Sequence, residues 1–355
     1  MSFVMKGLIL AAGLGTRLRP LTYTRPKHVF RVAGKPIIHY AVEHLKEAGL
    51  EEIAVVVSPE NREDIREALE DFPGVRISYV VQELPQGLAH AVSVARSWLG
   101  ESPFMVYLGD NLFQKGVRRF AEAFVQGASA VIALVPVPDP RQFGVAVLEG
   151  SRVIRLLEKP AQPPSNLAVA GIYVFSPEVH EVIQNLSPSA RGEYEITDAI
   201  QGLIDRGRSV LGYEVEGWWK DTGRPQDLLD ANRLLLSDQH PAIKGAVARS
   251  EINGAVYIEE GARVEDSTIL GPAYIAQGAE VLEAYIGPFT SVGPGARVRQ
   301  AEVEYSILED NAVVEGVSLR LHECILGVGA RVTSRNGLPR AHKLMLGDLS
   351  TLELG

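Results

Sequence analysis

The sequence predicts an α/β protein of two unlike parts: an open sheet, mixed but mainly parallel, covered by helices, and then a solenoid of short parallel strands. Three observations carry this. The chain has 355 residues, about twice an ordinary domain, so a single core is not expected to serve all of it. Up to residue 236, short β-branched runs alternate with amphipathic stretches of helical period, the pattern of a sheet with helices on its faces. From Ile252 the helical period vanishes. Apolar residues then recur mostly every six positions, through Ile258, Val264, Ile269, Ile275, Val281, Ile286, Val292 and Val298.

In chain order, β-branched runs predict strands over 6–11, 53–58, 76–82, 104–108, 130–135, 144–148, 169–175 and 210–215. One-sided apolar spacing predicts helices over 36–48, 60–71, 87–98, 117–126 and 195–206. Three steps of five or six residues make a coil of roughly 17 to 18, and the Gly-Ala, Gly-Pro and Gly-Val-Gly turns between steps suit a β-helix. The expected divisions are a first domain over 1–236, a linker over 237–251, the β-helix over 252–335 and a capping tail over 336–355. In open α/β sheets ligands sit beyond the carboxyl ends of strands, so the loops following those strands are where chemistry is expected.

Composition narrows the function classes. With 46% hydrophobic and 22% charged residues, the chain buries ample core and is neither disordered, collagen-like nor coiled-coil. The lone Cys324 excludes an intrachain disulfide and a cysteine zinc cage and fits a reducing, cytoplasmic compartment. No apolar run reaches the ~18 residues of a membrane helix, and a net charge of −9 argues against nucleic acid and anionic membrane as partners. Charge is nonetheless uneven. Lys6, Arg17, Arg19, Arg25, Lys27, Arg31 and Lys35 all precede the first acidic residue, Glu43, so the N-terminal segment suits a small, highly anionic ligand.

The first strand ends in Leu10-Ala11-Ala12-Gly13-Leu14-Gly15-Thr16-Arg17, with Lys27 ten residues on. A glycine turn lets backbone N–H groups approach phosphate oxygens, and Arg17 and Lys27 can neutralise their charge. Two glycines alone serve a plain strand-to-helix turn equally well. Leu18 stands where a dinucleotide fingerprint needs its third glycine. Further on, Gln82 opens Gln-Glu-Leu-Pro-Gln-Gly-Leu-Ala-His; its amide matches the N3–H and O4 edge of thymine or uracil, and Gly87 lets the chain pass under a flat base. Asp110 follows an apolar strand and Asp221 lies in Trp-Trp-Lys-Asp-Thr-Gly. Two aspartates after separate strands suit Mg²⁺, although one such aspartate is ordinarily a turn former.

The run Gly13-Leu14-Gly15-Thr16-Arg17-Leu18-Arg19-Pro20-Leu21-Thr22 with Arg25-Pro26-Lys27 resembles the signature of the sugar-1-phosphate nucleotidylyltransferases. The likeness extends over residues 5–236, and the solenoid resembles the C-terminal extension of the long-chain branch, the glucose-1-phosphate thymidylyltransferases. The resemblance implies a Rossmann-like nucleotidyltransferase domain followed by a left-handed parallel β-helix with hexapeptide-like repeats. It implies Arg17 and Lys27 as catalytic groups on the reacting phosphates, and Leu10, Ala12, Gly13, Gly15, Thr16, Gln82, Pro85 and Gly87 as nucleotide-binding. By the same likeness Leu88, Leu108, Asn111, Gly144, Glu158, Val169 and Tyr173 line the sugar pocket, Lys159 and Arg191 bind its phosphate, Trp219 forms a wall, and Asp110 and Asp221 hold Mg²⁺.

The implied reaction joins dTTP and glucose-1-phosphate: the sugar phosphate oxygen attacks the α-phosphorus and pyrophosphate leaves. The attacking oxygen is already ionised, so neither a protein nucleophile nor a general base is required. The rivals are a UTP-using relative, a solenoid that transfers acyl groups, and a non-catalytic sugar-nucleotide sensor. Self-association into a homo-oligomer is expected, of unspecified size. Two departures from the family pattern stand out: His28-Val29-Phe30-Arg31 replaces the commoner His-Leu-Leu-Pro, and His90 replaces a Gln.

Overall fold

The computed structural model describes residues 4–70, 72–124 and 127–334; the expected capping tail and the end of the helix expected over 117–126 lie outside them. Packing divides the chain into two units. One joins the chain up to Leu14 with Ile38–Asp221, and the other joins Gly15–Ile37 with the chain from Thr222 on.

The first unit is built on a nine-stranded sheet in the order Arg76–Val81, Glu52–Val57, Lys6–Leu10, Phe104–Leu108, Leu167–Phe175, Ala128–Pro136, Ser209–Glu214, Arg152–Glu158, Gly144–Glu149. The strands from Arg76–Val81 to Phe104–Leu108 run parallel. Leu167–Phe175 enters antiparallel to both of its neighbours, which makes the sheet mixed. Leu8, Ile9, Val55, Val106, Ile132 and Val174 are wholly buried, as strands covered on both faces require. Helix Ile196–Asp205 buries Ile196, Ala199, Ile200 and Leu203, one stripe at helical spacing that completes the same core.

Expected elements reappear with ends moved by up to three residues, and the stretch expected as one helix over 87–98 divides into Leu88–Val94 and Arg96–Leu99. Sequence reading passed over several elements, among them the paired strands Asn111–Phe113 and Trp219–Asp221. Strand Arg152–Glu158 forms a hairpin with Gly144–Glu149; its exposed Arg152, Ile154 and Arg155 break the apolar run that marks a buried strand. Helices Val179–Gln184 and Pro225–Ser237 were also unread. Pro225 looks like a breaker but occupies the first helical turn, where its missing N–H costs nothing.

In the second unit the solenoid consists of two six-stranded parallel sheets and one of five strands, wound as a left-handed β-helix. Its first coil begins at Ala242, earlier than the expected Ile252, so most of the expected linker is already coil. Partners in neighbouring coils stand about 17 positions apart, as in Tyr257↔Tyr274 and Tyr274↔Ser291. The inward residues therefore stack on their own kind: Ile258 on Ile275, Val264 on Val281 and Ile269 on Ile286, all with no exposed surface. At one corner Arg249, Asp266, Glu283 and Gln300 take φ of 48°, 48°, 49° and 45°, and Gly316 takes 67°. That left-handed bend recurs once per coil and turns the chain onto its third side.

Candidate active site

The glycine loop contributes to both units. Strand Lys6–Leu10 ends in the first, where Asn61 Nδ2 donates to the Ala11 carbonyl at 2.8 Å; Leu10 and Ala12 are buried and Gly13 is exposed. In the second unit Gly15 adopts φ 62° and ψ 34° and opens the short turn Thr16–Leu18. Thr22 Oγ1 donates to the Gly15 carbonyl at 2.8 Å. A Cβ on Gly15 would lie 3.2 Å from Thr22 Cγ2 and 3.5 Å from Lys27 Cβ, so the bend and the lysine stem are packed together. Thr16 and Arg17 are exposed, and the Arg17 guanidinium lies against Gly223, whose added Cβ would be 3.2 Å from Nη2.

In the first unit, Gln82 ends buried at the strand terminus. Its Nε2 faces His90 Nδ1 at 2.8 Å and the Gly87 carbonyl at 3.3 Å. His90, noted from sequence only as a replacement for Gln, thus helps set the direction of the amide, with Oε1 as its acceptor end. Gly87 has φ 102°, and a Cβ there would strike the Tyr194 carbonyl at 2.6 Å. The strap Pro85-Gln86-Gly87 is laced to the 192–194 loop by Tyr194 N–H donating to Gln86 and Ala89 N–H donating to Tyr194. Pro85 is exposed and Leu88 half-buried.

Strand pairing sets the segments that carry Asp110 and Asp221 side by side: Asn111–Phe113 runs antiparallel to Trp219–Asp221, with Asp221 opposite Asn111, the residue after Asp110. Asn111 Nδ2 donates to Asp110 Oδ1 at 2.9 Å, while its Oδ1 accepts from Trp219 Nε1 at 2.7 Å. Asn111 therefore orients a carboxylate and anchors the Trp219 wall at once. Gly171 permits this, since with φ 74° a Cβ there would lie 2.6 Å from Asn111 Oδ1. Among the described residues no group of three or more His, Cys, Asp or Glu is placed for a metal. Two hard-oxygen carboxylates fit a divalent ion that takes its remaining ligands from substrate and water.

A second cluster surrounds Glu158, which pairs with Gly144 across the hairpin. Thr197 Oγ1 donates to Glu158 Oε2 at 3.0 Å. A Cβ on Gly144 would meet Thr197 Cγ2 at 2.6 Å, with Glu158 Oε2 and Val169 Cγ2 both at 3.4 Å. Burial pushes the Glu158 carboxyl above its usual range, against the pull of the Thr197 hydrogen bond. Lys159 and Arg191 reach Glu158 Oε1 at 3.7 and 3.5 Å. Arg191 is held more tightly by Glu195, at 2.8 Å, and by Glu193, at 3.1 Å. Expected on the sugar phosphate, Arg191 is here engaged by carboxylates of its own unit. Tyr173 is 3% exposed and stacked on Phe175; burial, then the charges of Glu158 and Asp110, raise its hydroxyl pKa far above normal. Leu108 is half-buried and lies 3.1 Å from the Cβ position of Gly171. Sequence reasoning missed His90, Thr197 and Glu195 as partners; the last two follow Arg191 by six and four residues.

The family model described as nucleotidyl transferase matches residues 6–238. The chain belongs to the nucleotidyl transferase family. Across 99% of its length this transferase is 46% identical to the low-salt glycan biosynthesis nucleotidyltransferase Agl11 of Haloferax volcanii, covering 100% of that relative. It is 43% identical to a glucose-1-phosphate thymidylyltransferase of Streptomyces griseus, over 99% of each chain. A Bacillus anthracis structure assigned as a glucose-1-phosphate thymidylyltransferase and solved with a sucrose superposes with TM-score 0.61 at 38% identity, over 65% of this transferase and 94% of that chain. A UDP-glucose pyrophosphorylase bound to UDP-glucose gives 0.60 at 28% identity, over 66% and 100%. The chemistry of this transferase is nucleotidylyl transfer to a sugar-1-phosphate, in a family that works with a divalent metal.

Proposed function

We propose that the chain transfers a thymidylyl group from dTTP to glucose-1-phosphate, giving dTDP-glucose and pyrophosphate with Mg²⁺, in the cytoplasm. The observation that carries this reading is Gln82: Nε2 is fixed by His90 and Gly87, so Oε1 is turned to accept from N3–H of a pyrimidine. The full-length likeness to the Streptomyces enzyme supports thymine and glucose. Mg²⁺ held by Asp110 and Asp221 would neutralise charge on the α-phosphate. Arg17 and Lys27 act as fixed cations on the reacting phosphates, and the glycine bend lets backbone N–H groups approach them. Glu158 and Val169 would receive the sugar, and Trp219, fixed through Asn111, would wall it.

A second reading keeps the residues and changes the base. The same amide accepts from uracil, and the UDP-glucose pyrophosphorylase lies close in fold. Only room for the thymine methyl separates the two, worth about ten- to two-hundredfold in kcat/KM. The test is pyrophosphate release with Mg²⁺, glucose-1-phosphate and each nucleoside triphosphate in turn. Highest kcat/KM with dTTP supports the first reading; preference for UTP transfers it to the second, and a purine preference removes both.

A further inference from the structure

The departure at Arg31 has a structural partner. Arg31 N–H donates to Glu309 Oε1 at 2.9 Å, and Arg31 Nε reaches Asp310 Oδ1 at 2.9 Å. A proline at this position, as the family pattern has it, would lack that N–H. Arg25 Nη1 stands 3.8 Å from Glu309 Oε2, whose side chain has 0% exposure; neither atom has a hydrogen-bond partner. Glu309 directly follows the solenoid strand Ile307–Leu308. The solenoid side grips the same segment again at Ala33, whose N–H donates to Asn232 Oδ1 at 2.8 Å, while Ser291 Oγ donates to that oxygen and Asn232 Nδ2 donates to the Phe289 carbonyl. Gly34 lies directly on the Tyr274 ring, leaving no room for a side chain. Lys27 lies between Arg25 and Arg31, in the short turn Lys27–Val29, where Phe30 N–H returns to the Lys27 carbonyl at 3.2 Å.

We propose that Glu309 is a positioning residue: by holding Arg25 and Arg31, this coil of the solenoid fixes the turn that presents Lys27 to the nucleotide. The solenoid is thereby part of the catalytic apparatus without touching substrate. A buried carboxylate with the Arg25 guanidinium 3.8 Å away and the Arg31 backbone N–H as its donor is a costly arrangement that only a fixed geometry repays. Its surroundings bear on its charge: burial raises the Glu309 pKa to about 7, opposed by the Arg31 hydrogen bond and the Arg25 and Arg31 charges and reinforced by Asp310. Ionised Glu309 grips both arginines more strongly, so turnover should climb as pH rises through that value.

The inference rests on the phosphate role proposed for Lys27, and two readouts separate them. In Glu309→Gln, kcat for pyrophosphate release should fall by about tenfold, since small misplacement of a reacting group is expensive, with KM for the nucleotide within about threefold and the kcat step near pH 7 gone. Amide hydrogen exchange over residues 27–33 should quicken while the coils carrying Val264 and Val281 keep their protection. Unchanged exchange over 27–33 overturns the proposal, whatever the turnover. So does wild-type kcat with an unaltered pH profile. A wild-type protein that releases no pyrophosphate from any substrate pair defeats the proposed function instead, and exchange alone then decides whether Glu309 sets the turn.

Discussion

The solenoid and the nine-stranded sheet both rely on parallel strands, yet they dispose of charge in opposite ways. Around the solenoid, ion pairs run along the outside, as in Arg249 with Asp266, Arg263 with Glu265 and Arg320 with Glu302, over an interior of stacked Ile and Val. In the sheet unit, carboxylates gather around the strand ends, half-buried and tied to Asn111, Thr197 and Arg191. One arrangement repeats and tolerates change; the other is a set of single-copy contacts. Glu309, a fully buried carboxylate in the solenoid, breaks the rule where the coil meets the Arg31 segment.

The contrast is sharpest in a paired substitution. Asp110→Ala should lower turnover by about a hundred- to a thousandfold while leaving the melting temperature close to wild type. Ile269→Ala should do the reverse, costing about 2–5 kcal/mol in urea denaturation with kcat unchanged. Near-normal pyrophosphate release by Asp110→Ala would break the distinction. Next in size is Glu309. Its folded pKa, raised to about 7, lies above the unfolded carboxylate value, so its contribution is complete below about pH 4.5 and is lost as pH rises through 7. Wild-type stability in urea should therefore decline between pH 5 and pH 8, and Glu309→Gln should flatten that slope. An equal stability difference at both pH values would count against it. The smallest effect belongs to the outer ladder: changing Arg249, 65% exposed, to Ala should leave the urea midpoint at the wild-type value. A lowered midpoint would mean that the ladder carries stability after all.

How much was legible follows the same division. The solenoid showed in the sequence because each coil repeats its inward Ile or Val, so spacing alone gave coil length; its start was missed because Ile243 and Val247, in register with Ile258 and Val264, stand only four positions apart and fall off the six-residue period. In the sheet, buried runs such as Phe104–Leu108 were plain, whereas Arg152–Glu158 was hidden by its charged face. Glycine loops and strand-end aspartates could be picked out because their positions follow from local sequence and family likeness. Partners could not. That Thr197 holds Glu158, or that Asn232 and Glu309 hold the 25–34 segment, depends on chain neighbours far apart in sequence, and no local pattern records such meetings.

The packing of Gly15–Ile37 with the chain from Thr222 on has a consequence for biosynthesis. The ribosome releases the lysine turn long before the coil bearing Glu309, so the loop waits for a support made much later. On the role proposed for Glu309, a nascent chain can close its sheet while Arg31 is still solvated, and the lysine turn is set only once that coil has emerged.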